Sequence, residues 1–383
     1  MTKVTAMVGV LGLGLVAVAG TATNAFGELR GDRGDRGDAS QAAGGDAPDR
    51  FVLDGDPAIH ALAGEIEVVP GSGDRVEVTV DFMGADADRL SVDIEEIRGR
   101  QALVVRFPDD RIVFDRGSSG RYETTVRVEE DGTWDGGRTG WSGADPVRIA
   151  SSGSGLEAWV SVRVEVPRGR DVEAFVGAGS IRAHDAVSDV RLNVSAGSIN
   201  VERHEGGVWA DTGSGDIRLA GIAGTVNADT GSGDIVVEAV RGESVRLDTG
   251  SGDIRAVDVR SGDLSADTGS GDIDLARLDG REVLVDTGSG DVEIGLSGTP
   301  ATLDVDTGSG DVTVRFGSDV DARFDIDTGS GGIEVGLPGV RTSRSERGEF
   351  SGIVGQGRGS VVIDTGSGRV RLLASTAGDQ RLF

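Results

Sequence analysis

The chain has 383 residues, 64 of them glycine, with aromatics at only 4% and a formal net charge of -27. A compact globule of this size fills its core with large side chains, whereas a thin core of Val, Ile, Leu and Ala suits an elongated stack. The acidity excludes nucleic-acid binding through clustered Lys and Arg and argues against attraction to anionic lipid. With no cysteine, disulfides, thiolate catalysis and Cys-ligated zinc are excluded as well.

At the N-terminus, Lys3 is the chain's only lysine and forms a short positive region. Residues 4–27 carry no charge, residues 6–19 are apolar and glycine-rich, and Thr23-Asn24-Ala25 offers small residues for a signal peptidase. Residues 1–27 therefore read as a secretory signal, or as an anchor if uncleaved, which is then the chain's one contact with a membrane. Residues 28–50, with the run RGDRGDRGD over Arg30 to Asp38, read as a disordered, charge-balanced spacer.

Residues 51–170 read as an irregular N-terminal β region that caps the more regular chain beyond it. Arg75-Val76-Glu77-Val78-Thr79-Val80 alternates with period two after the turn Pro70-Gly71-Ser72-Gly73-Asp74. Residues 115–155 are broken by Gly, Ser and Asp and read as an excursion from the main stack. It carries Trp134 and Trp141, which either meet a partner or carbohydrate or pack back onto the stack.

From residue 171 to 375 a repeat dominates. Asp-Thr-Gly-Ser-Gly starts at Asp211, Asp229, Asp248, Asp267, Asp286, Asp306, Asp327 and Asp364, in steps of 18, 19, 19, 19, 20, 21 and 37. Two degenerate copies precede it, and aligning their isoleucines gives Ile181, Ile199, Ile217 and Ile235, each 18 apart. A fixed period with strand-like alternation predicts an all-β fold, a parallel β-solenoid (single-stranded β-helix) of about ten coils of ~19 residues. In sequential stacking, the step of 37 holds an insertion around residues 341–359. The open ends of such a stack need caps, here the N-terminal strands and the charged tail, residues 376–383.

Stacking puts like residues above one another, so carboxylates line up about 4.8 Å apart and repel. The leading Asp of each copy is expected to cap its own Gly-Ser-Gly turn, with the glycines supplying φ > 0. A second column, Asp216, Asp234, Asp253, Asp272, Asp291 and Asp311, ends at Gly332 and Arg369. These six are the weak candidates for calcium, through carboxylate and backbone oxygens. The Asp directly follows the second glycine, unlike the Gly-Gly-x-Gly-x-Asp calcium repeat.

No enzyme is expected, and no cofactor apart from that calcium. Asp-Thr-Gly-Ser also occurs in aspartic proteases, where two Asp in facing lobes share a proton. Eight copies at the coil spacing are what a turn requirement produces. His60, His184 and His204 are scattered, and no catalytic serine motif occurs.

The run Gly64-Glu65-Ile66-Glu67-Val68, the segment Val162-Arg163-Val164-Glu165-Val166-Pro167-Arg168-Gly169 and the Asp-Thr-Gly-Ser-Gly-Asp-Ile/Val repeats together resemble the bacterial DUF4097 family of candidate adhesins. The likeness spans most of residues 51–375. It implies a β-solenoid and an adhesive role, while related domains in envelope-stress proteins imply a regulator that binds a membrane signalling partner. A third expectation is a purely structural, calcium-stabilised solenoid. On these readings the chain is exported to the periplasm, cell surface or medium, and its partner is a protein or glycan of the envelope.

Overall fold

The structure is a computed structural model that describes residues 41–42, 48–115, 122–134, 144–317 and 319–375. Residues 1–27, most of the spacer, Trp141 and the tail 376–383 lie outside the described residues. Those described are mostly strand, with one short 3-10 turn at Ala87–Arg89.

The solenoid arises from period-two burial. Strands such as Ala322–Thr328 and Gly359–Thr365 alternate strictly between buried and exposed residues. Inward side chains are aliphatic, and each stacks on its equivalent one coil away. Val172–His184 pairs in parallel with Val190–Glu205, matching Ile181 to Ile199, and the series continues through Ile217, Ile235, Ile254 and Ile273. All six are almost fully buried. Fully burying a side chain of this size contributes about 1.5–3 kcal/mol before the entropy of ordering is charged against it. The column accounts for a run of coils whose core holds no aromatic side chain.

A third corner closes each coil in the left-handed region. Asp185, Arg203, Gly221, Ala239, Asp258 and Arg277 all have φ between 50° and 69°, and they recur at steps of 18 or 19. Where charges meet there they pair: Arg203 Nε lies 2.7 Å from Asp185, and Arg277 Nε 2.6 Å from Asp258.

The far end departs from sequential stacking. Thr302–Thr307 pairs in parallel with Gly359–Thr365, aligning Asp306 with Asp364. The opposite edge of Gly359–Thr365 pairs with Ala322–Thr328, aligning Asp364 with Asp327. The order in space is thus Asp306, Asp364, Asp327, and the last coil of the sequence lies between the two before it. The stretch expected as an insertion is a hairpin, Arg341–Glu346 with Glu349–Ile353. Its second strand runs antiparallel to Ala322–Thr328 and covers that outer edge, a role expected of the tail. Phe316 and Phe324, in contact edge to face, fill the core at this end.

At the near end, Trp159–Val166 pairs in parallel with the second half of Ala58–Pro70 and antiparallel with Val76–Met83. Asp49–Leu53 adds to Val76–Met83, and the hairpin Ser91–Ile97 with Arg100–Arg106 joins at Ala58–His60. Gln41–Ala42 pairs with Ser91 and Val92, so parts of the sequence spacer are strand. The excursion forms a three-stranded sheet of Arg111–Val113, Asp145–Ala150 and Glu123–Val128. It docks on the outer face of the first coils. Val126, Ile149 and Trp134 form a second core with Leu62 and Ala178. Trp134 is buried and packs back onto the stack.

Candidate functional site

The repeated motif is brought together as parallel ladders on one edge of the coil, and its threonines, its glycines and the Asp that follows it each make contacts that cross between coils. The threonines, which spacing alone left without a role, are 0–1% exposed. The hydroxyl of Thr230 donates to the carbonyl of Gly215 at 2.9 Å, that of Thr268 to Gly252 at 2.9 Å and that of Thr287 to Gly271 at 3.1 Å. Each thus ties its coil to the second glycine of the neighbouring one. Thr365 donates to Gly310, consistent with its place against the Asp306 coil. Thr328, in the terminal coil, has a buried hydroxyl without a partner among the described residues.

The second Asp column is also an inter-coil staple. Asp216 Oδ1 accepts from the backbone N–H of Asp234 at 3.2 Å, Asp234 from Asp253 at 3.0 Å, Asp253 from Asp272 at 2.9 Å, and Asp272 from Asp291 at 2.8 Å. Asp291 accepts from Asp311, and Asp311 from Arg369, both at 2.8 Å. The series ends there because Arg369 has no carboxylate to offer Gly332. These bonds run to the next coil, where turn capping had been expected within one coil and for the leading Asp. An anionic acceptor on a backbone N–H is a strong hydrogen bond, so each coil adds one such bond against the repulsion along the column.

The leading aspartates, Asp211, Asp229, Asp248, Asp267, Asp286, Asp306, Asp327 and Asp364, point outward as a ladder. Burial and then the flanking Asp267 and Asp306 push the Asp286 carboxyl above its ordinary range. Burial, Asp306 and Asp327 do the same to Asp364. Asp248 has Arg246 at 2.9 Å.

The glycines also serve a purpose other than the one expected. Among the motif glycines, Gly215 has φ at 139°, but the others lie outside the left-handed range. What demands glycine is close approach. A Cβ on Gly231 would lie 2.6 Å from the Gly213 carbonyl, on Gly269 2.5 Å from that of Gly250, and on Gly288 2.5 Å from that of Gly269. The second glycine of each copy sits closer still to its predecessor's backbone.

The copies of Asp-Thr-Gly-Ser lie side by side on one edge, with their threonines sealed inside. The geometry of two facing lobes does not arise, and the motif is spent on the stack. Of the histidines, His204 is fully buried and its Nε2 lies 2.7 Å from the Ser188 carbonyl; burial pushes its pKa down. His184 stands between Asp185, 3.1 Å from Nδ1, and Glu67, 3.2 Å from Nε2, and these contacts push its pKa up. No helix among the described residues is long and apolar enough to cross a membrane.

No curated protein matches the chain. Among solved structures, a candidate cell adhesion protein from Clostridium sporogenes aligns at 8% identity over 86% of this chain and all of its own, with a TM-score of 0.21, too low to carry an argument. The model of the Toastrack DUF4097 family matches residues 158–373, more than half of the chain and all of the repeat from its degenerate copies to Leu373. With the ladder geometry that the repeat produces, this match shows that the chain belongs to the DUF4097 (Toastrack) family.

Proposed function

We propose that this protein is an exported, non-enzymatic interaction platform of the cell envelope, an adhesin that meets a protein or glycan on its outward faces. The observation that carries this reading is how the fold uses the motif. The motif's threonines, the second Asp column and the glycines hold coil to coil, so the repeat builds a long, regular stack whose outer faces can meet a partner along their length. The uncharged N-terminal stretch supports export.

The test is protease shaving of intact cells, followed by binding of the purified chain to isolated envelope material. Cleavage on intact cells together with saturable binding is the expected result. A chain wholly protected in intact cells would sink the adhesive reading. Retention of residues 1–27 in the mature protein would favour a second reading, an envelope-stress regulator anchored beside a membrane signalling partner.

A further inference from the structure

One column of the outer face changes character toward the N-terminus. The strand register carries the position of Asp211 back to Asn193, then Phe175, then His60. The acidic ladder therefore stops where the three-stranded sheet covers the solenoid, and two rings take its place. His60 and Phe175 stack with centroids 4.3 Å apart and planes 4° from parallel, and Trp134 meets Phe175 edge-on at 5.9 Å.

Between this column and Glu123–Val128 lies a cavity of about 510 Å³. That is a usual size for a small-molecule site. Its aromatic side is completed by uncharged polar groups: Asn193 and Ser195 from the solenoid and Thr125 from the small sheet. Its charged residues balance, Arg98, Arg100 and Arg127 against Glu129, Glu173 and Asp211. Arg100 and Glu173 are themselves paired at 2.8 Å.

Two nitrogens at the aromatic side lack a partner among the described residues, Nδ1 of His60 and Nε1 of Trp134. Their residues are only 6% and 4% exposed. Buried polar atoms are seldom left unpaired, because each unmade hydrogen bond opposes folding. Burial lowers the pKa of His60 to about 4, so its ring is neutral near pH 7.

We propose that this cavity is a binding site for a neutral saccharide of one or two rings, stacked against the aromatic cluster and held by Asn193, Ser195 and Thr125. A pyranose has an apolar C–H face for an aromatic ring and hydroxyls that both donate and accept, which the amide and hydroxyl side chains answer. The unpaired Nε1 of Trp134 and Nδ1 of His60 are groups that a sugar hydroxyl can satisfy. An anion or a cation gains nothing from a balanced rim, and a wholly apolar guest leaves the polar groups unpaired. The site deepens the interaction reading above and rests on it only for the setting in which the protein meets a saccharide.

The test uses the purified full chain at pH 7 and saturation-transfer NMR with glucose, galactose, N-acetylglucosamine and cellobiose as probes. This readout is independent of location in the cell, so its failure is distinct from failure of the adhesion test. Saturation transfer to at least one probe is expected. Asn193→Phe, which extends the ring column into the cavity, is expected to weaken it at least tenfold, whereas Gly298→Ala, far from the cavity and with open space for its methyl group, leaves it unchanged. If Asn193→Phe melts without cooperativity, Thr125→Val replaces it, with a loss of several-fold expected. No transfer to any probe, transfer that persists in the cavity variant, or binding of indole in place of the sugars would each overturn the assignment.

Discussion

The hydroxyl of Thr249 donates to the carbonyl of Gly233, 3.0 Å away in the neighbouring coil, and both lie within the motif itself. Thr249 is 1% exposed, so its hydroxyl has no water as an alternative. Thr249→Val keeps the shape and deletes the donor. A loss of about 1–2 kcal/mol is expected in urea unfolding, with Thr249→Ser losing less. An unchanged midpoint for Thr249→Val would show that the ladder adds nothing.

The glycines permit a paired comparison. A Cβ on Gly250 would lie 2.6 Å from the Gly231 carbonyl, whereas one on Gly298 would meet nothing within 4 Å. Backbone cannot yield as a side-chain tip can. Gly250→Ala should therefore lower the melting temperature sharply, at a cost of roughly 3 kcal/mol or more, while Gly298→Ala stays within about 0.5 kcal/mol of the parent. Equal effects would contradict the close-approach argument.

Asp306 is the shared neighbour of Asp286 and Asp364, whose carboxyl pKa values are both raised. A raised folded-state pKa in an acid means that its charged form opposes folding, so the penalty is present at neutral pH and fades as pH falls through the raised values. Asp306→Asn should therefore raise the melting temperature at pH 7, with a gain that shrinks below about pH 4 and at high salt. A gain independent of pH would point to some other cause.

Asp253 accepts from the Asp272 N–H while donating its own N–H to Asp234. Asp253→Ala should cost about 1–3 kcal/mol, and Asp253→Asn, which keeps an acceptor and removes charge, much less. If stapling is the column's whole role, melting curves in millimolar calcium and in EDTA will coincide. A large upward shift with calcium would make these carboxylates ligands.

The features legible in the sequence are those that recur. The period, the parallel stack and the isoleucine column come from repetition, because like residues at a fixed step must overlie one another. The role of Thr249 was not legible, since a hydroxyl's partner depends on which carbonyl the neighbouring coil presents. The order of Asp306, Asp364 and Asp327 was hidden for a related reason. Copies of one motif are interchangeable as stacking partners, so spacing cannot say which strand lies beside which. The column through His60 and Phe175 carries no motif at all, and only strand register joins it to Asp211.

The place of Gly359–Thr365 between Thr302–Thr307 and Ala322–Thr328 has a consequence for how the chain is made. Coils up to Asp306 can add one by one as the chain lengthens from its N-terminus. The Asp327 coil cannot reach its final seat until residues 359–365 have emerged to fill the gap beside it. A chain stopped before residue 359 lacks the strand that belongs between the Asp306 and Asp327 coils, and the edge of Thr302–Thr307 is left open to quality-control proteases.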